Sequence, residues 1–165
     1  MDRLWSPWRL DYVTRGDAPP GCIFCLADRR PEAEPLLLFE GVACYVILNL
    51  YPYNNGHLMV VPYRHVASLG ALTAAELHEI AELTQRAEAA LLEAYRPHGI
   101  NIGVNLGKAA GAGVLEHVHV HVVPRWNGDT NFMTVGGEMR VLPEELGASA
   151  ARLRPIFTRL ATGRT

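Results

Sequence analysis

The run His117-Val118-His119-Val120-His121-Val122-Val123 constrains this chain more than any other stretch of it. Successive side chains of a β-strand point to opposite faces of the sheet. A strand from Leu115 to Val123 would therefore place three imidazoles on one face and the intervening valines on the other. The valines can pack into a core, and the histidines would form a row of nitrogen bases that titrate near neutral pH. The alternation thus predicts a half-buried strand that carries a chemical site.

Length and composition restrict the class of protein in which this strand lies. A chain of 165 residues is long enough for one domain with a sizeable core, and 49% hydrophobic and 19% charged residues are typical of a globular protein. The net charge of −2 argues against nucleic-acid or membrane-surface partners. No apolar run approaches the ~18 residues of a membrane span, and no signal-peptide pattern is seen. With three cysteines, a disulfide framework is not expected, and we expect a cytoplasmic location.

Periodicity predicts the elements around the histidine run. Short runs rich in β-formers and bounded by turn residues predict further strands, over Leu36–Phe39, Val42–Leu48, His57–Val61 and Gly99–Asn105. Thr73-Ala74-Ala75-Glu76 has the capping-box pattern, and apolar residues recur at helical spacing from Leu77 to Tyr95. The expected fold class is α+β, with an antiparallel sheet of about five strands, one long helix and a C-terminal helix.

The chain is predicted to be a single domain over residues 1–165 with an extension at each end. Residues 1–20 contain an aromatic arm, Leu4-Trp5-Ser6-Pro7-Trp8-Arg9, which we expect to lie over apolar surface of its own domain or of a partner subunit. Residues 143–165 are predicted to form a C-terminal helical extension. Pro155 would kink or divide this helix, because proline lacks the N–H of an interior helical residue.

Two histidine-bearing segments together resemble the histidine triad (HIT) superfamily of nucleotide hydrolases and transferases. The signature of that family is a run of histidines alternating with hydrophobic residues, preceded by a Gly-His strand that ends in proline. Here the two parts are His117–His121 and Gly56–Pro62. Several local features are similar to the diadenosine tetraphosphate phosphorylase and hydrolase branch: Asn49–His57, Gly103–Gly107, Val123–Trp126 with Gly128-Asp129, and the aromatic arm. The resemblance covers the chain from Cys22 to about Trp126 and implies a HIT-like fold.

The resemblance also implies a reaction and a role for each histidine. The enzyme would cleave a dinucleoside polyphosphate such as diadenosine tetraphosphate, with phosphate or water as acceptor. His119 would attack the α-phosphorus and carry the nucleotide covalently, which requires one unprotonated ring nitrogen. His121 would contact the phosphate oxygens and assist the leaving group. His57 would hydrogen-bond within the triad that His117 completes, although a core histidine with satisfied hydrogen bonds is the alternative for His57.

Substrate contacts are expected from residues near the histidines. The resemblance places Asn49 at the ribose hydroxyls and Asn105 near the α-phosphate, although either could instead bond its own backbone in a loop. Backbone amides of the glycine-rich loop before the run can approach a phosphate, because glycine has no side chain. Trp126 could stack on a base, contact a partner subunit or close the core. The expected set is Asn49, Asn105, Gly107, Lys108, Gly111, Gly113, Val114 and Trp126.

One departure from the family pattern leaves the acceptor open. Many relatives carry a glutamine, serine or threonine just before the first triad histidine, as a side-chain donor to phosphate. This chain has Gly111-Ala112-Gly113-Val114 at that point. Only backbone amides can donate there, so the choice between water and phosphate does not follow from the motif.

Cys22 and Cys25 supply two of the four ligands that a tetrahedral zinc site needs. In zinc-bearing relatives the other two are a histidine just after the Gly-His strand and the first triad histidine, which correspond here to His65 and His117. The resemblance therefore implies a structural zinc ion and no organic cofactor. Two reduced, buried cysteines without metal are the alternative.

Three other functions are compatible with the same residues. A nucleoside phosphoramidase would use His119 on an AMP–amine bond. A metal-dependent hydrolase would hold catalytic zinc with the histidine run itself, but alternate strand residues are ~6.7 Å apart, so the outer two cannot easily share one ion. A non-catalytic protein would be a module that binds a nucleotide without cleaving it, or an interaction domain stabilised by zinc. By resemblance, the protein is also expected to be a homodimer or a higher homo-oligomer.

Overall fold

The computed structural model describes residues 21–25, 36–129 and 144–163. The predicted arm within residues 1–20 lies outside the described residues, as do both ends of the predicted C-terminal extension. None of the helices in the described residues has the length and apolar character needed to cross a membrane.

The described residues form one five-stranded antiparallel sheet with two helices. The strands are β1 (Leu37–Glu40), β2 (Cys44–Leu48), β3 (Leu58–Pro62), β4 (Gly99–Val104) and β5 (Val120–Arg125), in the order β1-β2-β3-β5-β4. Every pairing is antiparallel. Helix α1 (Ala74–Tyr95) connects β3 to β4, and α2 (Leu146–Ala161) follows β5 along the chain. The predicted α+β architecture is confirmed.

The core lies between the sheet and the two helices. Strands β2 and β3 are buried at every position, as their uninterrupted apolar sequences require. Helix α1 contacts β2, β3 and β5, and α2 packs against α1 and β1. The apolar faces of the helices supply buried residues at helical spacing, namely Ile80, Leu83, Ala87 and Leu91 from α1 and Ala150, Leu153 and Phe157 from α2.

The histidine run is less regular than the alternation predicts. β5 begins only at Val120, so His117 and His119 lie just before the strand, and only His121 lies within it. The pairing of β3 with β5 ends at Val60 opposite Val120. The physical reason is Pro62, the last residue of β3, which has no N–H to donate to a continued ladder. A strand beginning at Leu115 was therefore a wrong prediction, although buried valines still alternate with the histidines.

The C-terminal helix also departs from prediction at one point. α2 is continuous from Leu146 to Ala161 with Pro155 inside it, so the proline does not divide the helix. Pro155 removes the hydrogen bond to the carbonyl of Ala151. Both residues are exposed, so water can satisfy that carbonyl.

The start of α1 has the predicted capping box. Thr73 Oγ1 accepts from the Glu76 N–H at 3.2 Å, and the Thr73 N–H donates to Glu76 Oε2 at 2.7 Å. Arg64 donates to the same carboxylate through Nε and Nη2, at 2.9 and 2.7 Å. These Arg64 hydrogen bonds, followed by the one from Thr73, lower the pKa of Glu76 to about 2. The helix start is thereby tied to the segment that leaves β3.

Replacing Thr73 by alanine should lower the free energy of unfolding by about 1 kcal/mol, because the Glu76 N–H loses its acceptor. Urea denaturation measures the change. Thr158→Ala is the matched control, since Thr158 is exposed within α2 and its hydroxyl only donates to the Arg154 carbonyl. Equal losses in the two variants would contradict a capping role for Thr73.

Candidate active site and metal centre

Four histidines meet where the loop before β3, the start of β5 and residues 21–25 come together. The ring centroids of His119 and His121 are 4.7 Å apart, and those of His57 and His121 are 5.2 Å apart. The ring of Phe24 lies 5.7 Å from that of His117 and 4.7 Å from that of His119. The structure therefore brings together all four histidines that the sequence predicts for catalysis.

His119 is held as a neutral imidazole of defined tautomer. Its Nδ1 lies 2.9 Å from the backbone carbonyl of His117. A carbonyl can only accept, so Nδ1 carries the proton and Nε2 presents a lone pair. His119 is 6% exposed, and burial lowers its pKa, which favours the neutral ring at pH 7. This is the state that a nucleophilic histidine requires.

His57 and His121 form a second chain of defined tautomers. The backbone N–H of Tyr53 donates to His57 Nδ1 at 3.0 Å. That nitrogen is therefore unprotonated, and the proton of His57 lies on Nε2, which is 3.0 Å from His121 Nδ1. His121 accepts on Nδ1 and so carries its own proton on Nε2. His57 is fully buried, and its two ring nitrogens contact the Tyr53 N–H and His121.

Asn49 makes the local contacts of a loop residue. Its Oδ1 accepts from the Tyr51 N–H at 2.9 Å, an Asx turn, and its backbone N–H donates to the His57 carbonyl at 2.9 Å. Its Nδ2 lies 3.5 Å from each ring nitrogen of His57, at the limit of hydrogen bonding. Asn49 thus borders the histidines, and its side-chain oxygen is engaged within its own loop.

The glycine-rich loop before the histidine run is folded on itself. Gly107 and Gly111 have φ angles of 82° and 84°, which glycine adopts without strain. The amides of Ala110 and Ala112 donate to the Gly107 carbonyl, and that of Gly111 donates to the Lys108 carbonyl. These three amides are therefore engaged within the loop. The other predicted contacts here differ in exposure, with Lys108 and Gly113 exposed and Asn105 and Val114 half-buried.

Trp126 contacts α1. Its half-buried ring meets that of Tyr95 edge to face, with centroids 6.4 Å apart. Its backbone N–H donates to Asp129 Oδ2 at 3.1 Å. This contact is packing within the domain, one of the three roles expected from the sequence.

Cys22, Cys25, His65 and His117 form a cluster of side chains that could hold a metal ion. Their ligand atoms all lie within 4.8 Å of one another. The Sγ–Nδ1 distances are 3.3 Å from Cys22 to His117, 3.3 Å from Cys25 to His65 and 3.8 Å from Cys25 to His117. Zn–S bonds of about 2.3 Å and Zn–N bonds of about 2.0–2.1 Å in a tetrahedron separate S and N by about 3.5 Å. The four residues therefore fit zinc.

His117 is oriented for this cluster. Its Nε2 donates to the Pro62 carbonyl at 2.8 Å, and burial lowers its pKa, so the neutral ring presents the Nδ1 lone pair toward the two sulfur atoms. The histidine run does not converge on a single ion, because Nδ1 of His119 and Nδ1 of His121 have the other partners described above. This geometry disfavours catalytic zinc held by the run itself.

Sequence reasoning missed two groups in the site. Phe24 packs on His117 and His119, and its carbonyl accepts from the Tyr45 hydroxyl at 2.5 Å. Its place between Cys22 and Cys25, two predicted metal ligands, was the available signal. Tyr53 acts through its backbone N–H, which every residue except proline has, so no sequence pattern could have identified it.

Comparison with known proteins identifies the family. A model of the HIT domain matches residues 30–128, and the chain belongs to the HIT family. The chain is 44% identical over 154 residues to AP-4-A phosphorylase of Mycobacterium tuberculosis (strain H37Rv), covering 88% of this chain and 79% of that protein. It is 31% identical over 127 residues to bis(5'-adenosyl)-triphosphatase of Dictyostelium discoideum, covering 73% and 85%. A Zn-bound histidine triad family protein from Mycobacterium smegmatis superposes with a TM-score of 0.70 at 31% identity, covering 87% and 97%.

The tautomers described above can be measured by long-range ¹H–¹⁵N NMR at pH 7. We expect His119 to be protonated on Nδ1, and His57 and His121 on Nε2, because their partners fix each proton. His78 serves as an internal reference, since its side chain is 77% exposed. A His119 ring protonated on Nε2 alone would contradict the assignment of its nucleophilic nitrogen.

Proposed function

We propose that this chain cleaves dinucleoside polyphosphates, such as diadenosine tetraphosphate, through a covalent nucleotidyl intermediate on His119. The observation that carries the proposal is the hydrogen bond from His119 Nδ1 to the His117 carbonyl. It leaves Nε2 as the unprotonated nitrogen of a buried, neutral ring. The two relatives named for reactions of adenine dinucleotides support the substrate class.

In the first step, the lone pair of His119 Nε2 forms an N–P bond to the α-phosphorus. The bond from that phosphorus to the bridging oxygen breaks, and ATP leaves with the electron pair as a polyphosphate anion. The ring retains its Nδ1 proton and becomes positively charged, and the His117 carbonyl stabilises that charge as it develops. The N–H at His121 Nε2 is suited to donate a hydrogen bond to the phosphate oxygens. His121 keeps this proton and stabilises the charge on those oxygens.

In the second step, the acceptor takes the nucleotide from His119. An oxygen of inorganic phosphate or of water attacks the phosphorus, the N–P bond breaks and its electron pair returns to Nε2. Phosphate yields ADP, whereas water yields AMP and releases a proton. Either acceptor regenerates the neutral ring with its proton on Nδ1.

We also propose that the cluster of Cys22, Cys25, His65 and His117 holds a structural zinc ion. All four positions are protein ligands, which leaves no open position for water or substrate. Zinc here would supply rigidity, fixing residues 21–25 against the end of the sheet. His117 belongs to the cluster and also accepts from His119, so the cluster supports the orientation of the nucleophile.

A homodimer is proposed from one feature of the sheet. β4 is an edge strand of the sheet that the described residues form, and its Ile102 is 50% exposed. An exposed apolar edge favours pairing with a second chain. A homodimer and a cytoplasmic location both remain predictions.

His119→Asn should lower turnover of diadenosine tetraphosphate by at least about a thousandfold, because the variant has no nucleophilic nitrogen. Chromatography of the nucleotide products measures this loss, and circular dichroism checks the fold. His78→Asn is the matched control, since His78 is exposed on α1 and pairs only with Glu82 in the described residues. Full activity in the folded His119 variant would refute the covalent mechanism.

The products identify the acceptor and the reaction. ADP with ATP, formed only when phosphate is added, indicates a phosphorylase, and AMP with ATP in phosphate-free buffer indicates a hydrolase. Turnover of an adenosine phosphoramidate alone would replace the proposal with a phosphoramidase. Binding without turnover of either compound would indicate a nucleotide-binding module.

The purified protein should contain about one zinc ion per chain, measured by mass spectrometry of the metal. Cys22→Ser should lose most of this zinc and unfold at a lower temperature. Cys44→Ala should retain it, because Cys44 is buried under β2 and donates to the Glu76 carbonyl instead. Zinc-free wild type, or equal zinc in the two variants, would refute the site.

A further inference from the structure

Asp129 is the centre of a hydrogen-bond network to which the proposed chemistry assigns no role. Its Oδ2 accepts from Arg125 Nε at 2.6 Å, from Asn54 Nδ2 at 2.8 Å and from the Trp126 N–H at 3.1 Å. Its Oδ1 accepts from Arg125 Nη2 at 2.8 Å. The side chain of Asp129 is only 12% exposed. The Arg125 hydrogen bonds hold the pKa of Asp129 far below its usual range, which favours the charged carboxylate at neutral pH.

Arg125 anchors the carboxylate to the sheet. It is the last residue of β5, the strand that contains His121. Its two donors hold both carboxylate oxygens, an arrangement that fixes orientation as well as distance. Its Nη1 also donates to Asn101 Oδ1 of the neighbouring strand β4 at 2.8 Å. The position of Asp129 is therefore defined relative to the strand that carries His121.

Asn54 connects the carboxylate to the loop before β3. Its Nδ2 donates to Asp129 Oδ2 at 2.8 Å and to the Pro124 carbonyl at 2.9 Å, which uses both amide protons. The backbone carbonyl of Asn54 accepts from the His57 N–H at 3.1 Å. The preceding residue, Tyr53, donates its N–H to His57 Nδ1. The backbone on both sides of the Asn54 side chain thus contacts His57.

This connection lies outside the β3–β5 ladder, although the Asn49 N–H holds the His57 carbonyl on the β2 side. The pairing of β3 with β5 begins at Leu58 opposite Val122, so His57 precedes the ladder. Backbone pairing of β3 with β5 therefore does not fix the His57–His121 contact, and the Tyr53 N–H that assigns the His57 tautomer comes from the loop. If Tyr53 moved by about 1 Å, its N–H would leave His57 Nδ1, and the ring could take the other tautomer. His57 Nε2 would then accept, and the proton of His121 would have to move to Nδ1.

We infer that Asp129 is a positioning residue for the triad: through Asn54 it holds the Tyr53 N–H on His57 and so selects the tautomers of His57 and His121. Asp129 acts through the loop and does not touch the reacting atoms. The inference rests on the proposed function in one respect, namely that the N–H at His121 Nε2 donates a hydrogen bond to the phosphate oxygens of the substrate. The tautomers themselves are measured without substrate.

The experiment compares Asp129→Ala with Glu79→Ala. Glu79 is a matched control because its carboxylate also clamps a loop, accepting from the Val42 and Ala43 N–H groups at 2.7 and 2.5 Å. That loop joins β1 to β2. We expect Asp129→Ala to lower kcat about ten- to hundredfold with KM within about twofold, because geometry is lost without loss of a substrate contact. Its His57 and His121 ¹⁵N signals should show mixed tautomers, whereas Glu79→Ala should retain the wild-type kcat and tautomers.

Two further variants test the route through Asn54. Asn54→Ala should reproduce the effects of Asp129→Ala while leaving the Arg125 pair intact, and the double variant should be no slower than the slower single variant. Asp129→Asn should recover part of kcat, because its amide oxygen can still accept from Asn54. Asn54→Ala also provides the test if Asp129→Ala fails to fold.

Wild-type tautomers and kcat in Asp129→Ala, or additive losses in the double variant, would overturn the inference. Equal loss of kcat in Glu79→Ala would also overturn it, since the effect would then be one of general stability. If the wild type does not cleave diadenosine tetraphosphate, the proposed function fails. The tautomers of Asp129→Ala still decide the positioning role in that case.

Discussion

The hydrogen bond from His117 Nε2 to the Pro62 carbonyl is the interaction on which the rest of the site depends. It fixes the tautomer of a fully buried ring and directs the Nδ1 lone pair to the two cysteines. The backbone of the same residue accepts from His119 Nδ1. One residue therefore connects the end of β3, the metal cluster and the proposed nucleophile. A displacement of His117 would disturb all three, because buried polar groups have no water to replace a lost partner.

The end of the β3–β5 ladder makes these interactions possible. Within a ladder, backbone carbonyls and amides are used by neighbouring strands. Past the Val60–Val120 end of this ladder, the carbonyls of Pro62 and His117 accept from imidazole rings. Before its Leu58–Val122 end, the N–H of Tyr53 donates to an imidazole ring. Each of these backbone groups can only donate or only accept, so each one assigns a proton on the ring that it contacts. The loss of regular pairing thus gives three histidines defined chemical states.

Much of this arrangement was predictable from local patterns. The capping box at Thr73, the apolar period of α1 and the antiparallel sheet follow from short-range rules, and the structure contains them. The four residues of the metal cluster were expected from the resemblance, and their ligand atoms do meet. The strand predicted to start at Leu115 failed because its length depends on Pro62, which is distant in sequence. Pro155 was expected to kink or divide α2, and the helix is not divided: the carbonyl that the proline frees lies at the exposed surface.

The sequence by itself determined which residue types are present and their local spacing: alternating histidines, a Cys-x-x-Cys pair and a Gly-His strand that ends in proline. Those features specify the family and the kind of chemistry. Only the tertiary structure decided which nitrogen of each ring carries its proton, because the partners of the rings are backbone groups and a neighbouring imidazole. Asn54 and Asp129 are 75 residues apart and meet only after β3 and β5 have paired. Backbone donors and acceptors are common to nearly all residues, so their use at this site leaves no mark in the sequence.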